Sequence, residues 1–443
     1  MIVVAKFGGS TLKDAADYRR VADVIAGKRA KGDEVAAVVS ATYKTTDELI
    51  AAAKASEGGN SSAFDKIFQK HAAIAGELNG KASAGAKKGL DSAKALLSKF
   101  LAIDEMEVRN AAMQSLGERM SAILLAAFLE EKGVEAKAVS AEDAGILAMG
   151  GVLNGTVMME ETKKSVAARV KPMLKKTVPV VTGYFGIREN GEILLFGRGG
   201  SDYSAGIMAA CLGAGALEFW KDVPGFMSAD PKTVPGARLL EKISYREVEE
   251  LGYMGAKIVH PRAVVPLKGT ATPVYIRNIL KPNEKGTVVS EGRSKPGAKA
   301  VAGKEAAVVT VKGVAYATAP GMAASVFAAL ERVGVSVDLI STSEVDISFT
   351  TDPSNADKAA GALKELREAE EVTVEKGLAT VGVVGEGLRE SGDAAKLFSF
   401  LAEESGDVTL VSQDAREIAI SFAVPAARMN ECIRRVHEKV IGR

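Results

Sequence analysis

The chain is poor in the residues from which metal sites and disulfide frameworks are built. Among its 443 residues are two cysteines, Cys211 and Cys432, and three histidines. These five side chains are scattered along the sequence without the spacing of metal ligands. We therefore expect neither a structural zinc site nor a disulfide framework.

The chain also has no excess of either charge. It carries 57 Lys and Arg residues against 56 Asp and Glu residues, so no basic field attracts nucleic acid or anionic lipid, and phosphate binding must be local. No apolar run approaches the length of a membrane-spanning helix, and the N-terminus lacks the apolar core of a signal peptide. These absences predict a cytoplasmic protein without nucleic-acid or membrane partners.

The composition that remains is typical of a globular protein of two or three domains, with 47% hydrophobic and 26% charged residues. "MIVVAKF" and "EVAAVVSA" are typical of strands buried on both faces, and the residues between them have helical spacing. This pattern predicts a strand–helix–strand unit of the α/β class. Residues 60–110 have the composition of a helical insertion with a solvated face, and residues 111–132 predict one long helix. We place a domain boundary in the later part of the Gly-, Pro- and Lys-rich residues 281–304.

Two copies of one pattern follow this boundary. The first runs from the strand "AAVVTVKG" to the strand "EVTVEKG" in the order βαββαβ of a ferredoxin-like module. The second begins at "LATVGVVG" and ends on a helix over residues 428–440, without a final strand. It must borrow that strand, so we predict that the two modules are interleaved in space.

The first candidate site lies in "VVAKFGGST", residues 3–11. A short apolar run ends at Lys6 and is followed by Gly8, Gly9 and two hydroxyl residues. Glycines followed by hydroxyls let the backbone approach a phosphate closely, and the lysine supplies charge. The alternative is a strand that ends in a tight turn, with a surface lysine and a serine cap.

A second candidate site lies in "FGRGGSDYSAGIMAA", residues 196–210. We predict Arg198 at a strand end and Ser201 as the cap of a helix that opens with Asp202. The N-terminus of such a helix favours an anion, and the arginine fork fits a carboxylate in two hydrogen bonds. The alternative is a glycine turn with a surface pair between Arg198 and Asp202.

A third hydroxyl-rich turn is "SATYKTTDEL", residues 40–49. Ser40 ends a buried strand, and Thr45 with Glu48 predicts a capping box. The alternative to a functional role for Thr46 is that it belongs only to that cap. All three turns follow buried strands. Their positions predict ligands held at the carboxyl ends of a parallel sheet.

The chain resembles the aspartate kinases of the amino acid kinase superfamily. The motifs "KFGGST", "SLGERMSA", "GRGGSDYSA", "WKDVPGFMSADPK" and "GAKIVHP" stand in the order found in that family, and "GVSVDLISTSE" resembles its paired regulatory ACT modules. The resemblance covers essentially the whole chain and implies a monofunctional enzyme. It implies a three-layer αβα kinase domain with a mainly parallel sheet over residues 1–295. Two ferredoxin-like ACT modules would follow at 305–376 and 377–443, the second interleaved with the first.

The activity that the resemblance implies is phosphorylation of the β-carboxylate of L-aspartate by ATP with Mg²⁺. The product, 4-phospho-L-aspartate, opens the biosynthesis of lysine, threonine and methionine, and the ACT modules impose feedback inhibition. A homodimer or homotetramer assembled through the ACT modules is also implied. A free β-carboxylate has a pKa of about 3.9 and is therefore already ionised at neutral pH. Because no general base is needed to ionise it, the absence of a catalytic histidine is expected.

The resemblance also assigns roles to individual residues, with Lys6 and Asp202 as the catalytic pair. The positions assigned to ATP binding are Lys6, Phe7, Gly8, Gly9, Lys221, Asp222, Met227, Lys232, Lys257 and Ile258. The positions assigned to aspartate binding are Ser40, Thr46, Glu118, Arg198, Gly199, Gly200 and Ser201. Glu118 would meet the α-ammonium, and residues 198–201 the α-carboxylate. The alternatives are a solvated helix acid at Glu118, a strand-end turn at Lys221 and Asp222, and solvated lysines at Lys232 and Lys257.

Among the positions that depart from the family pattern, three lie on the nucleotide side. Lys221 stands where threonine is usual, Met227 where tyrosine is usual, and Lys232 where arginine is usual. The aspartate side is intact. These departures bear on ATP affinity.

The resemblance implies that the ACT modules bind an end-product amino acid, with lysine favoured and threonine next. The predicted allosteric residues are Met322, Asp338, Ser343 and Glu344. The loop 317–324 leads into a helix whose N–H groups suit an α-carboxylate, and the two acids suit the two ammonium groups of lysine. Alternatively, Asp338 pairs locally at a strand end and Glu344 is solvated.

Two rival functions remain open from the sequence. A decayed kinase domain would serve a non-catalytic amino-acid sensor built on the ACT pair. Alternatively, the kinase domain is intact and the protein is a kinase for another acidic amino acid, glutamate or acetylglutamate.

Overall fold

The computed structural model describes residues 1–56, 62–256, 258–313, 321–403, 407–413 and 418–442. The chain divides into two compact units. The first consists of residues 1–226, 241–245 and 258–291, and the second of residues 227–240, 246–257 and 292–443. This division does not follow the predicted bounds 1–295, 305–376 and 377–443, which remain a prediction.

The first unit combines helices with a large sheet. Its helices are α1 (Ala15–Ala30), α2 (Thr45–Ser56), α3 (Ser62–Gly76), α4 (Gly80–Leu101), α5 (Met106–Glu131), α6 (Ala141–Ala144), α7 (Met159–Arg169) and α8 (Gly200–Leu212). Its strands are β1 (Ile2–Phe7), β2 (Glu34–Val39), β3 (Ala136–Val139), β4 (Ala148–Met149), β5 (Thr156–Val157), β6 (Val178–Thr182), β7 (Phe185–Ile187), β8 (Ile193–Leu195), β9 (Ala216–Lys221), β10 (Lys242–Ser244), β11 (Val274–Asn278) and β12 (Thr287–Ser290). The predicted helical insertion is α3 and α4, and the predicted long helix is α5.

Eight of these strands form one mainly parallel sheet in the order β10-β12-β11-β9-β1-β2-β6-β3. Only β11 and β12 pair in the antiparallel direction. In the centre, Lys6 of β1 lies beside Val38 of β2 and Phe219 of β9. The carboxyl ends of β1, β2 and β9 are therefore level, and the residues that follow them meet at one edge.

The alternation of side chains along β1 explains the layers. Ala5 and Phe7 belong to the apolar core that α1 and α5 also line. Because successive side chains point to opposite faces of a sheet, Lys6 points to the other face, where α8 packs against β1. The predicted α/β class with an αβα arrangement is confirmed.

The second unit is built on a single antiparallel sheet. Its helices are α9 (Tyr245–Tyr253), α10 (Met322–Arg332), α11 (Ala356–Lys364), α12 (Asp393–Glu403) and α13 (Met429–Val436), which continues into a π-helical turn at His437–Ile441. Its strands are β13 (Ala300–Lys312), β14 (Ile340–Thr342), β15 (Asp346–Thr351), β16 (Glu371–Val384), β17 (Leu410–Gln413) and β18 (Ala419–Pro425). They lie in the order β14-β15-β13-β16-β18-β17.

Two long strands are shared by both ferredoxin-like halves of this sheet. The strands predicted separately at "EVTVEKG" and "LATVGVVG" form the single strand β16, with Gly377 in the left-handed region at φ 75°. The first half of β13, from Ala300 to Ala306, pairs with the second half of β16. It thereby supplies the strand that the second copy lacks. Residues 300–304, predicted to lie in a boundary, are ordered as part of β13.

In the described part of the chain, no helix combines the length and apolarity needed to cross a bilayer.

Candidate active site at the carboxyl edge of the parallel sheet

Lys6 is a buried cation at the end of β1. It is only 4% exposed, and its Nζ lies 2.5 Å from Oδ1 of Asp202 in the first turn of α8. The alternative of a surface lysine is therefore excluded. A buried charge is tolerated when it is paired, and here the partner comes from the helix that packs on the same face of the sheet.

The two glycines after β1 allow close approach to the backbone, each from a different neighbour. A Cβ on Gly8 would lie 3.5 Å from Lys6 Nζ, and one on Gly9 would lie 3.0 Å from the Ala41 carbonyl oxygen. The turn is closed by the Thr11 hydroxyl, which donates to the Gly8 carbonyl at 2.8 Å. Phe7 stacks on Trp220 inside the unit, so it offers a ligand only its backbone. Gly8 thus leaves the backbone beside Lys6 free for close approach by an anion, whereas Gly9 allows the turn to pack against the backbone of Ala41.

The helix α8 begins at Gly200, two residues earlier than the sequence predicted. Gly199 is its N-cap, at φ 73° in the left-handed region that favours glycine, so the prediction that Ser201 caps the helix is wrong. Ser201 instead lies in the first turn. The preceding strand β8 ends at Leu195, so Arg198 follows a short loop and not a strand end.

Arg198 is exposed, and the alternative of a surface pair between it and Asp202 does not hold, because Asp202 is buried against Lys6. The guanidinium thus stands at the rim of the site while the carboxylate lies inside it. An exposed fork beside a helix N-terminus remains available to a carboxylate ligand.

Asp202 is contacted by two lysines and one backbone N–H. Its Oδ2 lies 3.7 Å from Lys221 Nζ and accepts a hydrogen bond of 3.2 Å from the His260 N–H. Burial alone would raise the pKa of Asp202, but the charges of Lys221 and Lys6 hold that pKa below its usual value. Burial lowers the pKa of Lys221, and Lys6 lowers it further, against the opposing charge of Asp202. Two cations share one anion, which leaves a positive cluster at the sheet edge.

Glu118 of α5 is the second buried acid of this edge. It is 2% exposed, and its Oε1 accepts a hydrogen bond of 3.0 Å from the Ala41 N–H. Its Oε2 is buried without a hydrogen-bond partner in the described part of the chain. Burial raises the pKa of Glu118 to about 8, against the Ala41 N–H and the charge of Lys6. A solvated helix acid is therefore excluded, and the bare oxygen suits a cationic ligand.

The hydroxyl-rich turn after β2 differs from its prediction. The Ser40 N–H donates to the Phe7 carbonyl at 3.0 Å, which fixes this turn beside the end of β1. Thr45 already belongs to α2, and its hydroxyl and the Glu48 carboxylate both accept hydrogen bonds from Lys70 Nζ, at 3.2 Å and 3.0 Å. The predicted capping box is therefore wrong. Thr46 lies half-buried in the first turn of α2.

Some residues of this edge carried no signal in the sequence. Tyr184, just after β6, is a non-glycine residue at φ 77°, and its hydroxyl donates to Gln114 at 3.0 Å. A Cβ on the preceding Gly183 would come within 2.7 Å of Ser201 Cβ, so the chain after β6 packs tightly against α8. His260 belongs to the motif "GAKIVHP", in which the resemblance assigns Lys257 and Ile258 to ATP binding. Nothing in the sequence predicted the contact between His260 and Asp202.

The predicted nucleotide positions are distributed over both units. Lys221, Asp222 and Ile258 lie in the first, and the Asp222 carboxylate accepts a hydrogen bond of 3.3 Å from the Ser10 hydroxyl. Met227 and Lys232 lie in the second, and Lys232 is exposed. Lys257 lies outside the described residues. The nucleotide roles of these residues remain predictions.

The predicted allosteric residues are not gathered in one place. Met322 is buried in the apolar core of the first ACT-like half. Asp338 pairs with Lys304 at 2.8 Å, as the local alternative expects. Ser343 accepts hydrogen bonds from the N–H groups of residues 345 and 346, and Glu344 is exposed. Asp338 and Glu344 stand at opposite ends of β14, so the structure does not bring the two acids together. Residues 317–320 of the predicted carboxylate loop lie outside the described part.

Sequence families agree with this architecture. The Amino acid kinase family matches residues 1–278, and the ACT domain matches residues 309–366 and 381–440. The aspartokinase of Geobacillus stearothermophilus is 31% identical over 99% of this chain and 96% of its own length. A bifunctional aspartokinase/homoserine dehydrogenase of Haemophilus influenzae is 34% identical over 99% of this chain, which spans 56% of that protein.

Solved structures agree as well. The Escherichia coli aspartokinase III in complex with aspartate and ADP has a TM-score of 0.84 at 27% identity, over 100% of both chains. The same enzyme in complex with lysine and aspartate has a TM-score of 0.83 at 26% identity, over 99% of both chains. The chain therefore belongs to the amino acid kinase family, and within it to the aspartokinases that carry ACT domains.

Proposed function

We propose that the protein transfers the γ-phosphoryl group of ATP to the β-carboxylate of L-aspartate. The observation that carries this proposal is the buried cluster of Lys6, Asp202 and Lys221 beside the side-chain-free backbone at Gly8. An oxygen of the β-carboxylate attacks the γ-phosphorus, and the bond from that phosphorus to the bridging oxygen breaks, which leaves its electron pair on ADP. No proton has to move, because the attacking carboxylate is already ionised.

The role of the cluster is electrostatic. Two anions must be brought together in line, so their repulsion and the charge that develops on the phosphoryl group must be offset. Lys6 is held by Asp202 at the end of β1, and the glycine turn follows it directly, with the Cβ position of Gly8 3.5 Å from Lys6 Nζ. Because the lysine is buried and fixed before the reaction, it stabilises the transition state without reorganisation.

The aspartate side of the site uses the rim and the buried acid. Arg198 would bind the α-carboxylate in two parallel hydrogen bonds, together with N–H groups at the start of α8. The buried oxygen Oε2 of Glu118 would accept a hydrogen bond from the α-ammonium. Ser40 and Thr46 would supply hydroxyls near the substrate. The E. coli relative that was solved with aspartate and ADP supports this choice of ligands.

Mg²⁺ is expected to accompany the nucleotide. In the described part of the chain, no three His, Cys, Asp or Glu side chains form a cluster of metal ligands. Mg²⁺ in phosphoryl-transfer enzymes is bound largely through phosphate oxygens and water, so a protein cage is not needed. The ion would supply further positive charge to the phosphates.

We also propose that the ACT halves bind an end-product amino acid, lysine in preference to threonine, and that binding inhibits the kinase. The E. coli relative solved with lysine and aspartate supports lysine. A dimer or tetramer formed through the ACT halves and a cytoplasmic location are parts of the same proposal.

The test of the kinase reaction is a coupled assay of ADP release with a panel of acceptors. With ATP and Mg²⁺ present, L-aspartate should support turnover, while L-glutamate and N-acetylglutamate should not. Hydroxylamine should trap the acyl phosphate as a hydroxamate only in the aspartate reaction. Turnover with another acceptor would reassign the substrate. No turnover with any acceptor, together with binding of amino acids, would favour the sensor function.

A further inference from the structure

The segment from Ile258 to Pro266 packs along the start of α8. A Cβ on Gly199 would lie 2.2 Å from Cγ of His260, and one on Gly206 would lie 2.1 Å from the Ala263 carbonyl oxygen. Both glycines therefore lie in direct contact with this segment. Without side chains at these two positions, the segment lies against the helix itself.

Arg262 ties the same segment to the loop before α8. Its guanidinium lies 4.4 Å from the centroid of the Tyr203 ring. It also donates hydrogen bonds of 2.5 Å to the Phe196 carbonyl and 3.0 Å to the Gly155 carbonyl. The loop that carries Arg198 is thus held on its N-terminal side by Arg262 and on its C-terminal side by the contact with His260.

His260 makes three contacts within this arrangement. Its backbone N–H donates to Asp202 Oδ2 at 3.2 Å, and its ring lies against Gly199. Its Nδ1 accepts a hydrogen bond of 3.3 Å from the Arg262 N–H. A nitrogen that accepts carries no proton, so the proton of the neutral ring is on Nε2. The orientation of the ring is therefore set by the segment that carries it.

The contact between His260 and Gly199 matters because glycine, which has no Cβ, does not restrict the backbone to one conformation at this turn. Gly199 adopts φ 73° as the N-cap of α8, and the first N–H of the helix, that of Gly200, donates to the Gly197 carbonyl at 3.0 Å. With no side chain of its own to fix the turn, that conformation depends on what packs against it. The ring of His260 occupies that place.

We propose that His260 is a positioning residue, whose ring holds the turn of residues 198–201 in the conformation that binds the α-carboxylate of the substrate. This inference rests on the proposed function, since it assumes that the turn binds a carboxylate. His260 acts through Gly199 and Arg198 and does not touch the reacting atoms.

The charge state of the ring is part of this role. Burial lowers the pKa of His260, and the charges of Arg262 and Arg198 lower it further, while Asp202 opposes them. Arg198 faces the ring from the loop before α8, Asp202 faces it from α8, and Arg262 faces it from the segment that carries His260. Protonation would remove the acceptor at Nδ1 and place another cation near Arg198. The ring is therefore neutral near pH 7, and we expect the turn to loosen only in acid.

The experiment compares the parent with His260→Ala and His260→Asn. The amide oxygen of asparagine takes about the place of Nδ1 and accepts from the Arg262 N–H, whereas alanine leaves the space empty. At pH 8, His260→Ala should raise the KM for aspartate and the calorimetric Kd about tenfold, since small misplacements of positioning groups have large effects. The kcat and the KM for ATP should stay within about twofold, and His260→Asn should restore the aspartate KM.

The pH profile separates positioning from simple structural damage. Because burial lowers the pKa of His260, its protonation should make the aspartate KM of the parent rise more steeply only well below the ordinary histidine value of about 6.5. His260→Asn has no titrating ring and should lose this extra rise. His437→Asn serves as control, because His437 is another buried histidine, and its ring nitrogen Nε2 is hydrogen bonded at 2.8 Å to the Ser228 hydroxyl. It should leave the aspartate KM and its pH profile unchanged.

Each outcome decides the inference. A parental aspartate KM in His260→Ala, or an equal loss in kcat and in both KM values, overturns it. If His260→Ala does not fold, the inference fails when His260→Asn retains the extra acid rise. A parent that binds aspartate without forming acyl phosphate overturns the proposed function but not the inference, provided His260→Ala weakens that binding. A parent that binds no aspartate overturns both.

Discussion

The candidate active site of the first unit and the predicted allosteric positions of the second differ in the burial of their charged residues. At the sheet edge of the first unit, Lys6, Asp202 and Glu118 are 4%, 7% and 2% exposed. In the second unit, the predicted allosteric acid Glu344 is exposed, and Asp338 shares a partly exposed ion pair with Lys304. Burying an ion costs several kcal/mol unless good partners offset it. A cluster of buried charges that is only partly neutralised therefore indicates a working site, whereas exposed pairs occur on any protein surface.

This difference determines what the structure can identify. In the first unit, burial and pairing distinguish the charged residues of the edge from ordinary surface charges, independently of any relative. In the second, only the resemblance to ACT modules assigns a role to Asp338 and Glu344. Variants in the first unit should therefore give large effects on turnover, and variants in the second should give small effects that appear only with a regulatory ligand.

The largest effect is expected from Lys6→Ala. Removing the cation at the end of β1 should lower kcat by about 10²-fold or more, as for the loss of one donor that stabilises transition-state charge. Lys13→Ala is the matched control, because Lys13 is an exposed lysine of the same turn region. Steady-state turnover with saturating ATP and aspartate provides the measurement. A kcat within a few-fold of the parent in Lys6→Ala would show that the buried lysine is structural.

A smaller effect is expected from Arg198→Lys. The charge is kept but the planar fork is lost, so the KM for aspartate should rise about tenfold while the KM for ATP barely changes. The control is Arg188→Lys. Arg188 lies outside the proposed site and forms an ion pair of 2.6 Å with Glu192. Normal aspartate affinity with poor ATP affinity would assign this anion site to the nucleotide.

The third prediction concerns the pH dependence of aspartate binding. Glu118 has a pKa of about 8 without ligand because it is buried, so it is mostly protonated at pH 7. It must ionise to pair with the α-ammonium. Aspartate affinity should therefore increase as the pH rises toward 8, by up to about tenfold per pH unit, and level off above.

Isothermal titration calorimetry in buffers of different ionisation enthalpy measures the proton released on binding. Glu118→Gln is the matched variant, since it is isosteric and does not titrate. It should bind aspartate more weakly and lose this pH dependence. A parent that binds aspartate equally well from pH 6 to 8, with no proton release, would contradict the assignment of Glu118.

The smallest effects are expected in the second unit. Asp338→Ala breaks a partly exposed ion pair, so the free energy of unfolding should fall by at most about 1 kcal/mol, and turnover without lysine should not change. If lysine binds at Asp338, its inhibition should weaken, within the coupling of about 1–3 kcal/mol usual for allosteric sites.

The measurement is aspartate-dependent turnover with lysine, threonine, both and neither. Asp357→Ala is the control, since Asp357 forms a similar ion pair, of 2.7 Å, with Lys376. It should be inhibited like the parent. If Asp338→Ala is also inhibited like the parent, or if no amino acid inhibits the parent, the ACT halves have a different role.

The sequence predicted the architecture well because its pattern was local and regular. Continuous apolar runs predicted β1 and β2, and their register made the carboxyl edge a meeting point. Helix ends were predicted less well. Ser201 and Thr45 had the side chains of N-caps, but Gly199 and Lys70 decided the local hydrogen bonds through contacts made only in the folded chain.

Long-range contacts could not be predicted from local patterns. The pairing of Lys6 with Asp202 joins residues nearly two hundred positions apart. The contact of His260 with Gly199 depends on how the segment after residue 257 returns to α8. The fusion of two predicted strands into β16 likewise follows from the pairing with β13, which extends along both halves. Local patterns do not show which atoms meet in these contacts, although the resemblance assigned Lys6 and Asp202 to one catalytic site and the missing strand of the second copy indicated that the two modules share strands.

The central claim is that Lys6 and Asp202 act as one unit in phosphoryl transfer. It is tested most directly by aspartate-dependent acyl phosphate formation, trapped as the hydroxamate, in Lys6→Ala, Asp202→Asn and the double variant. Residues that act as a unit give strongly non-additive losses. We therefore expect the double variant to be about as slow as the slower single variant, at least about 10²-fold below the parent. Losses that multiply in the double variant, or singles that keep parental rates, would contradict the claim.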